Sequence, residues 1–140
     1  MKVKDVMHKK ITWVEANTPI EQVVNQMREL DIGAIPVGDG DRLVGMITDR
    51  DIAIRSFNGA TNPRDLKARD VMSKEVAFCK ENENLDDALQ LMTRREVRRL
   101  PVLNDEKRMI GMLSLGDIAH AASHAKVGTT LAAISSHHRS

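Results

Sequence analysis

The chain has 140 residues and nearly balances 21 Lys and Arg against 20 Asp and Glu. A net charge of +1 and 41% hydrophobic residues exclude a disordered chain, and they lack the basic excess of a general nucleic-acid binder. The sequence has no apolar run of about 18 residues to span a bilayer and no apolar signal core at its start. We therefore expect a soluble cytoplasmic protein without membrane or nucleic-acid partners, and the single cysteine, Cys79, favours the same compartment.

Two halves of the chain repeat each other. The matched segments are Asp5-Val6-Met7 with Asp70-Val71-Met72, Pro36-Val37 with Pro101-Val102, Gly45-Met46 with Gly111-Met112, and Asp51-Ile52-Ala53 with Asp117-Ile118-Ala119. The offset grows by one after the second pair, which places an extra residue near Arg108. The sequence therefore predicts repeats at 1–57 and 67–122, a turn-rich linker at 58–66, and a tail at 123–140 that forms at most a short helix.

The first repeat is predicted to fold as strand, helix, strand, strand, helix. Its strands are expected at 11–14, 34–37 and 43–47, with a hairpin turn at 38–41. Thr18 is predicted to cap the first helix, with Pro19 at the first helical position. Thr48 is predicted to begin the second helix, which is expected to turn Ile52 and Ala53 inward.

The second repeat follows the same order. Strands are expected at 76–79, 100–103 and 109–113, with helices at 84–94 and from Ser114. Neither repeat has enough helices to cover both faces of its sheet, so we expect the two to pack sheet to sheet with pseudo-twofold symmetry and a cleft between them. The predicted fold class is therefore α/β, of the α+β type, built from two similar units.

This doubled unit resembles the cystathionine-β-synthase (CBS) domain, and two in tandem resemble a Bateman module. The resemblance rests on Asp-Val-Met before the first strand, a Pro-Val hairpin, and Gly-x-x-Thr/Ser-x-x-Asp before the last helix, each present twice. It implies a small stand-alone protein of bacterial type that forms a homodimer. It also implies a regulatory sensor that binds AMP, ADP, ATP or S-adenosylmethionine between its repeats and acts through a protein partner.

The same resemblance assigns site residues. The segment from Gly45 to Asp51 is similar to the ribose-phosphate motif of the family, in which Asp51 bonds the ribose, Thr48 faces phosphate and Gly45 permits close approach. The segment from Gly111 to Asp117 preserves the same pattern through Ser114 and Asp117. Elementary chemistry agrees, because one carboxylate accepts hydrogen bonds from two neighbouring hydroxyls and a hydroxyl at a helix start suits an anion.

Positive charge differs between the repeats. Arg98 and Arg99 lie in a segment that resembles the phosphate-contacting part of the family, so they are expected to meet a phosphate beside Ser114. The first repeat has Gly33-Ala34 there, and Arg50 is its candidate substitute. The base is expected to be held around Thr12 and Ala77, at the first strand of each repeat.

An alternative interpretation gives these motifs no ligand. Thr48-x-x-Asp51 and Ser114-x-x-Asp117 are also ordinary capping boxes, so the chain is alternatively a ligand-free dimerisation scaffold. The sequence shows no nucleophile with a base and no complete metal-ligand set, since His120 and His124 lack further ligands. We therefore predict neither an enzyme nor a metal site, and no required cofactor.

Overall fold

The computed structural model describes residues 1–121 together with Ala132 and Ile134, and these residues form two compact units. Unit I comprises Thr12–Val76, and unit II comprises Met1–Ile11 with the described residues from Ala77 onward. The units thus differ from the sequence repeats, because the first eleven residues fold with the second repeat. The predicted tail at 123–140 lies outside the described residues except for Ala132 and Ile134, and Ile134 is buried in the core of unit II.

Unit I contains one three-stranded sheet with helices. Its elements are β1 (Val14–Glu15), α1 (Ile20–Leu30), β2 (Ala34–Asp39), β3 (Arg42–Thr48), α2 (Asp49–Arg55), a 3-10 helix (Pro63–Asp65) and α3 (Ala68–Val71). Strand β2 lies between a parallel β1 and an antiparallel β3, with a bulge after Val37. The core includes the fully buried Val23, Ile35, Ile47 and Val71.

Unit II repeats this plan. It consists of a 3-10 helix (Val3–Asp5), β4 (Cys79–Lys80), α4 (Leu85–Arg95), β5 (Arg99–Leu103), β6 (Met109–Ser114) and α5 (Leu115–Ala119). Strand β5 again lies between a parallel and an antiparallel neighbour. Val3, Met92, Leu100 and Ile118 are fully buried in its core. The predicted mixed α/β fold of two similar units is therefore confirmed.

Three local predictions are wrong. Thr18 does not cap α1, because its N–H donates to the Glu15 carbonyl and its own carbonyl accepts from the Ala68 N–H; the helix begins at Ile20 after Pro19. The first strand of each unit starts three residues later than predicted, since only two residues pair with the central strand. The prediction that α2 turns Ile52 and Ala53 inward is wrong for Ala53, which is exposed, whereas Ile52 is part-buried and packs against the core of unit I as predicted.

The repeated Asp-Val-Met motif has a structural role. The Oδ2 atom of Asp5 accepts the Lys2 N–H at 2.9 Å, and Oδ2 of Asp70 accepts the Lys67 N–H at 2.9 Å. Each aspartate thereby closes a short helical turn. The motif closes the same kind of turn in both units, although each copy folds with the strands of the other repeat.

Candidate functional site

In unit I the predicted ribose-phosphate motif joins the end of β3 to the start of α2. The Asp51 N–H donates to Thr48 Oγ1 at 3.1 Å, and the Thr48 N–H donates to Asp51 Oδ2 at 3.0 Å, which is a complete capping box. The second oxygen of the carboxylate, Oδ1, lies 3.9 Å from Arg55 Nε, beyond hydrogen-bond distance. The Asp51 side chain is 17% exposed and therefore part-buried.

In unit II the matching motif joins β6 to α5 in the same way. The Asp117 N–H donates to Ser114 Oγ at 3.1 Å, and the Ser114 N–H donates to Asp117 Oδ2 at 3.2 Å. Here the second oxygen is engaged, because Asp117 Oδ1 lies 2.8 Å from Nε2 of His8. Sequence analysis missed His8, although it directly follows Asp5-Val6-Met7, because the sequence does not show that this segment folds with the second repeat.

The capping interpretation and the ligand interpretation are compatible. In both units the cap uses only Oδ2 of the aspartate and leaves Oδ1 to another partner. A carboxylate offers about four lone-pair sites, so one side chain can close the helix and accept ribose hydroxyls together. The geometry therefore confirms the caps and leaves ligand binding as a prediction.

The arginines of unit II adjoin the motif through the backbone. The Arg98 carbonyl accepts the Leu115 N–H at 2.8 Å, and Arg99 pairs with Ser114 in the β5–β6 register. Both side chains are exposed. The sequence thus correctly placed two basic residues next to Ser114.

Gly33 is the residue of unit I that corresponds to Arg98, and an aspartate carboxylate lies beside it. The Gly33 carbonyl accepts the Asp49 N–H at 2.9 Å, as Arg98 does for Leu115. A Cβ on Gly33 would lie 3.2 Å from Asp49 Oδ2, so the carboxylate occupies the space in which a side chain would begin. Arg50, the predicted substitute, is exposed, and its N–H donates to Asp49 Oδ1 at 2.8 Å.

Gly45 and Gly111 have a packing role that sequence analysis did not foresee. A Cβ on Gly45 would overlap the Met72 side chain, and one on Gly111 would lie 2.5 Å from the His8 carbonyl oxygen. The space before each glycine is therefore filled by the chain itself. These contacts give each glycine a reason to lack a side chain that does not involve a ligand, and the expectation that the glycines let a ligand approach stays a prediction.

The predicted base-binding residues lie at the same end of each sheet as the motifs. Thr12 precedes β1, and β1 runs parallel to β2, whose first residue, Ala34, pairs with Thr48. Thr12 is thus two strand positions from Thr48, or about 10 Å away. Ala77 has the same place before β4 and packs against the core of unit II, whereas Thr12 is exposed.

Other chemistry-bearing groups lie outside these motifs. Burial, with a smaller contribution from Glu83, raises the pKa of the Cys79 thiol to about 12, so little thiolate forms near neutral pH. Within residues 1–121, Ala132 and Ile134, no three His, Cys, Asp or Glu side chains are placed to hold a metal ion. The part of the chain that the structure describes also contains no helix long and apolar enough to cross a membrane. An open depression of about 430 Å³ is lined by Phe57, Gly59, Ala60, Thr61, Asn62 and Pro63.

The family model of the CBS domain matches the chain twice, at residues 3–57 and 68–124. The chain therefore belongs to the CBS domain family, as a tandem pair. It is 38% identical over 134 residues to the CBS domain-containing protein YhcV of Bacillus subtilis, and the match covers 95% of this chain and 94% of that protein.

Solved structures of CBS domain proteins are similar over most of the chain. Hypoxic Response Protein I with two coordinated zinc ions has a TM-score of 0.79 at 32% identity, covering 87% of this chain and 99% of that one. CBSX2 in complex with AMP has a TM-score of 0.74 at 26% identity, covering 86% and 94%. The CBS domain pair of MJ0100 with 5′-methylthioadenosine and S-adenosyl-L-methionine has a TM-score of 0.71 at 25% identity, covering 86% and 98%. The ligands in these complexes thus include nucleotide and adenosyl compounds.

Proposed function

We propose that this protein is a non-catalytic regulatory module that binds an adenosine-containing ligand at the Thr48–Asp51 and Ser114–Asp117 motifs. The observation that carries the proposal is that each aspartate caps its helix with Oδ2 alone, which leaves Oδ1 as a second acceptor. Two similar CBS domain pairs are solved with AMP, or with methylthioadenosine and S-adenosylmethionine. The candidate ligands are therefore AMP, ADP, ATP and S-adenosylmethionine.

Each motif supplies a distinct part of the site. The aspartate Oδ1 accepts the ribose hydroxyls, and the hydroxyls of Thr48 and Ser114 donate to the 5′ substituent while they accept the cap N–H. In unit II, Arg98 and Arg99 neutralise a phosphate beside Ser114. The base lies toward Thr12 or Ala77, about 10 Å along the same end of the sheet.

The aspartates test this function. Asp51→Asn and Asp117→Asn retain an amide oxygen that can accept the cap N–H, but they replace the ribose-facing oxygen with an amide donor. We expect each variant to unfold within about 0.5 kcal/mol of the unsubstituted protein when no ligand is present. A ligand at a hundredfold excess over its Kd should raise the free energy of unfolding by about 2.7 kcal/mol in the unsubstituted protein, and the double variant should lose this gain.

Thermal unfolding with each of the four ligands provides the measurement, with Asp105→Asn, at an exposed aspartate of the β5–β6 turn, as a matched control. If no ligand raises the melting temperature of the folded protein, the ligand-free scaffold is the correct function. An equal gain in the double variant would show that ligands bind elsewhere.

We further propose that the module works in the cytoplasm, because its unpaired Cys79 suits a reducing compartment. We also propose that it is a homodimer. Ile54 of α2 and the nearby Phe57 are 60% and 71% exposed, and such apolar exposure is typical of association surfaces. Ile54→Glu with Phe57→Glu should shift the mass measured by light scattering from dimer to monomer. Leu30→Glu, at a 49% exposed leucine of α1, should leave the mass unchanged, and a monomeric unsubstituted protein would contradict the proposal.

A further inference from the structure

We propose that the two sites accept different classes of adenosyl ligand: the Asp51 site binds through ribose and needs no phosphate, whereas the Asp117 site selects ligands that carry a 5′ phosphate. This inference rests on the proposed function. It depends on how the two units differ at two matched places: the second oxygen of the motif aspartate, and the residues that adjoin the cap hydroxyl.

The ribose acceptor of unit II already has a partner. His8 Nε2 lies 2.8 Å from Asp117 Oδ1, while Oδ2 serves the cap of α5. The backbone of His8 is held in place, because the His8 N–H donates to the Met112 carbonyl and the Met112 N–H donates to the His8 carbonyl, both at 2.9 Å. A ribose that binds Asp117 must therefore displace His8, whose side chain is 72% exposed and free to move into solvent.

Unit I presents the same backbone arrangement without the imidazole. Ser73 occupies the position of His8, and it exchanges backbone hydrogen bonds with Met46 at 2.9 and 3.0 Å. Its side chain is a hydroxymethyl group, which is much shorter than an imidazole. The ion pair that the structure gives Asp51 Oδ1 is with Arg55, at 3.9 Å. A ribose hydroxyl therefore meets a less occupied acceptor in unit I than in unit II.

The charges beside the cap hydroxyl favour a phosphate in unit II and disfavour one in unit I. Unit II has Arg98 and Arg99 there, and its motif continues with the uncharged Leu115 and Gly116. Unit I has Gly33 and Ala34 there, and the carboxylate of Asp49 fills the space before Gly33. A phosphate near Thr48 would face this carboxylate, whereas a phosphate near Ser114 would have two exposed arginines adjacent to it in the backbone.

These two differences act together on ligand choice. In unit II the attraction of a phosphate to Arg98 and Arg99 offsets the loss of the His8–Asp117 contact, so a nucleotide binds and a bare nucleoside binds weakly. In unit I the ribose can reach Asp51 Oδ1 without displacing an imidazole. A neutral or cationic 5′ substituent also avoids repulsion by Asp49. The expected classes are thus adenosine, methylthioadenosine or S-adenosylmethionine for unit I, and adenine nucleotides for unit II.

Calorimetric titration with adenosine and AMP tests this assignment on variants that each retain one site. In Asp117→Asn, which retains the unit I site, adenosine should bind at least as tightly as AMP. In Asp51→Asn, which retains the unit II site, AMP should bind about tenfold tighter than adenosine. Adding His8→Ala to Asp51→Asn should tighten adenosine binding about two- to fivefold, the range for an exposed side-chain pair of this kind.

Ser73→His provides the reciprocal control. Placed in Asp117→Asn, it should weaken adenosine binding by a similar factor, because it brings an imidazole to the corresponding position beside Asp51. Equal preference for AMP in the two single-site variants, or weaker adenosine binding after His8→Ala, would overturn the inference while leaving the proposed function intact. Failure of every ligand to bind the unsubstituted protein would instead overturn both.

Discussion

Replacing Val3 with aspartate is expected to destabilise unit II by about 3 kcal/mol or more. Val3 is fully buried in a core that includes Cys79, Leu100 and Ile118. The substitution removes apolar burial and places an unpaired carboxylate among aliphatic side chains, and each effect costs about 2 kcal/mol or more. Hydrogen exchange should locate the damage. The Val3 and Lys4 N–H groups, which donate to the carbonyls of Glu83 and Glu81 at 2.9 Å, should lose their protection first.

Two further variants make this prediction decisive. Lys4→Asp, at an exposed neighbour, should change the free energy of unfolding by only about 0.5 kcal/mol. Val3→Ala leaves no charge in the core, so it should give the same exchange pattern with a cost of about 1–2 kcal/mol if the aspartate variant fails to fold. An equal loss of protection at Ala68–Val71 would contradict the assignment of residues 1–11 to unit II.

The features that were predicted correctly from the sequence are those that local interactions determine. The hairpins follow from paired apolar runs around short turns, and the caps at Thr48 and Ser114 follow from a hydroxyl and an acid three residues apart. Arg99 was expected near Ser114 from the family resemblance, and the structure pairs the two residues across the β5–β6 hairpin. Every one of these features involves residues that are close in the chain.

What the sequence did not predict depends on contacts between distant residues. A repeated Asp-Val-Met motif does not show which copy of the fold it enters, and here residues 1–11 fold with the second repeat. The contact between His8 and Asp117 follows from that exchange, so spacing alone could not reveal it. Thr18 failed as a cap for a related reason, because its carbonyl accepts a hydrogen bond from Ala68, which lies far along the chain.

Alanine at Gly111 should destabilise the ligand-free protein by about 2–3 kcal/mol, and alanine at Gly45 by about 1 kcal/mol. The two glycines occupy matched positions in β6 and β3, but their neighbours differ. At Gly111 the nearest atom to a new Cβ is the backbone carbonyl oxygen of His8, which is held in the bridge to Met112. At Gly45 the nearest atoms belong to the flexible Met72 side chain, which can move at lower cost.

Double variants distinguish a clash with a methionine side chain from a clash with a backbone carbonyl. Met72→Ala should recover part of the stability lost in Gly45→Ala, because it removes the overlapping side-chain atoms and leaves only the Ser73 carbonyl oxygen, 3.0 Å from the new Cβ. Met7→Ala should recover little in Gly111→Ala, because the His8 carbonyl remains. Chemical denaturation of these four variants, together with Met72→Ala and Met7→Ala alone, measures both couplings without ligand. Unchanged stability in Gly111→Ala would contradict the packing role and return that glycine to the ligand site. A loss without ligand would instead support the close packing of the His8 carbonyl against Gly111.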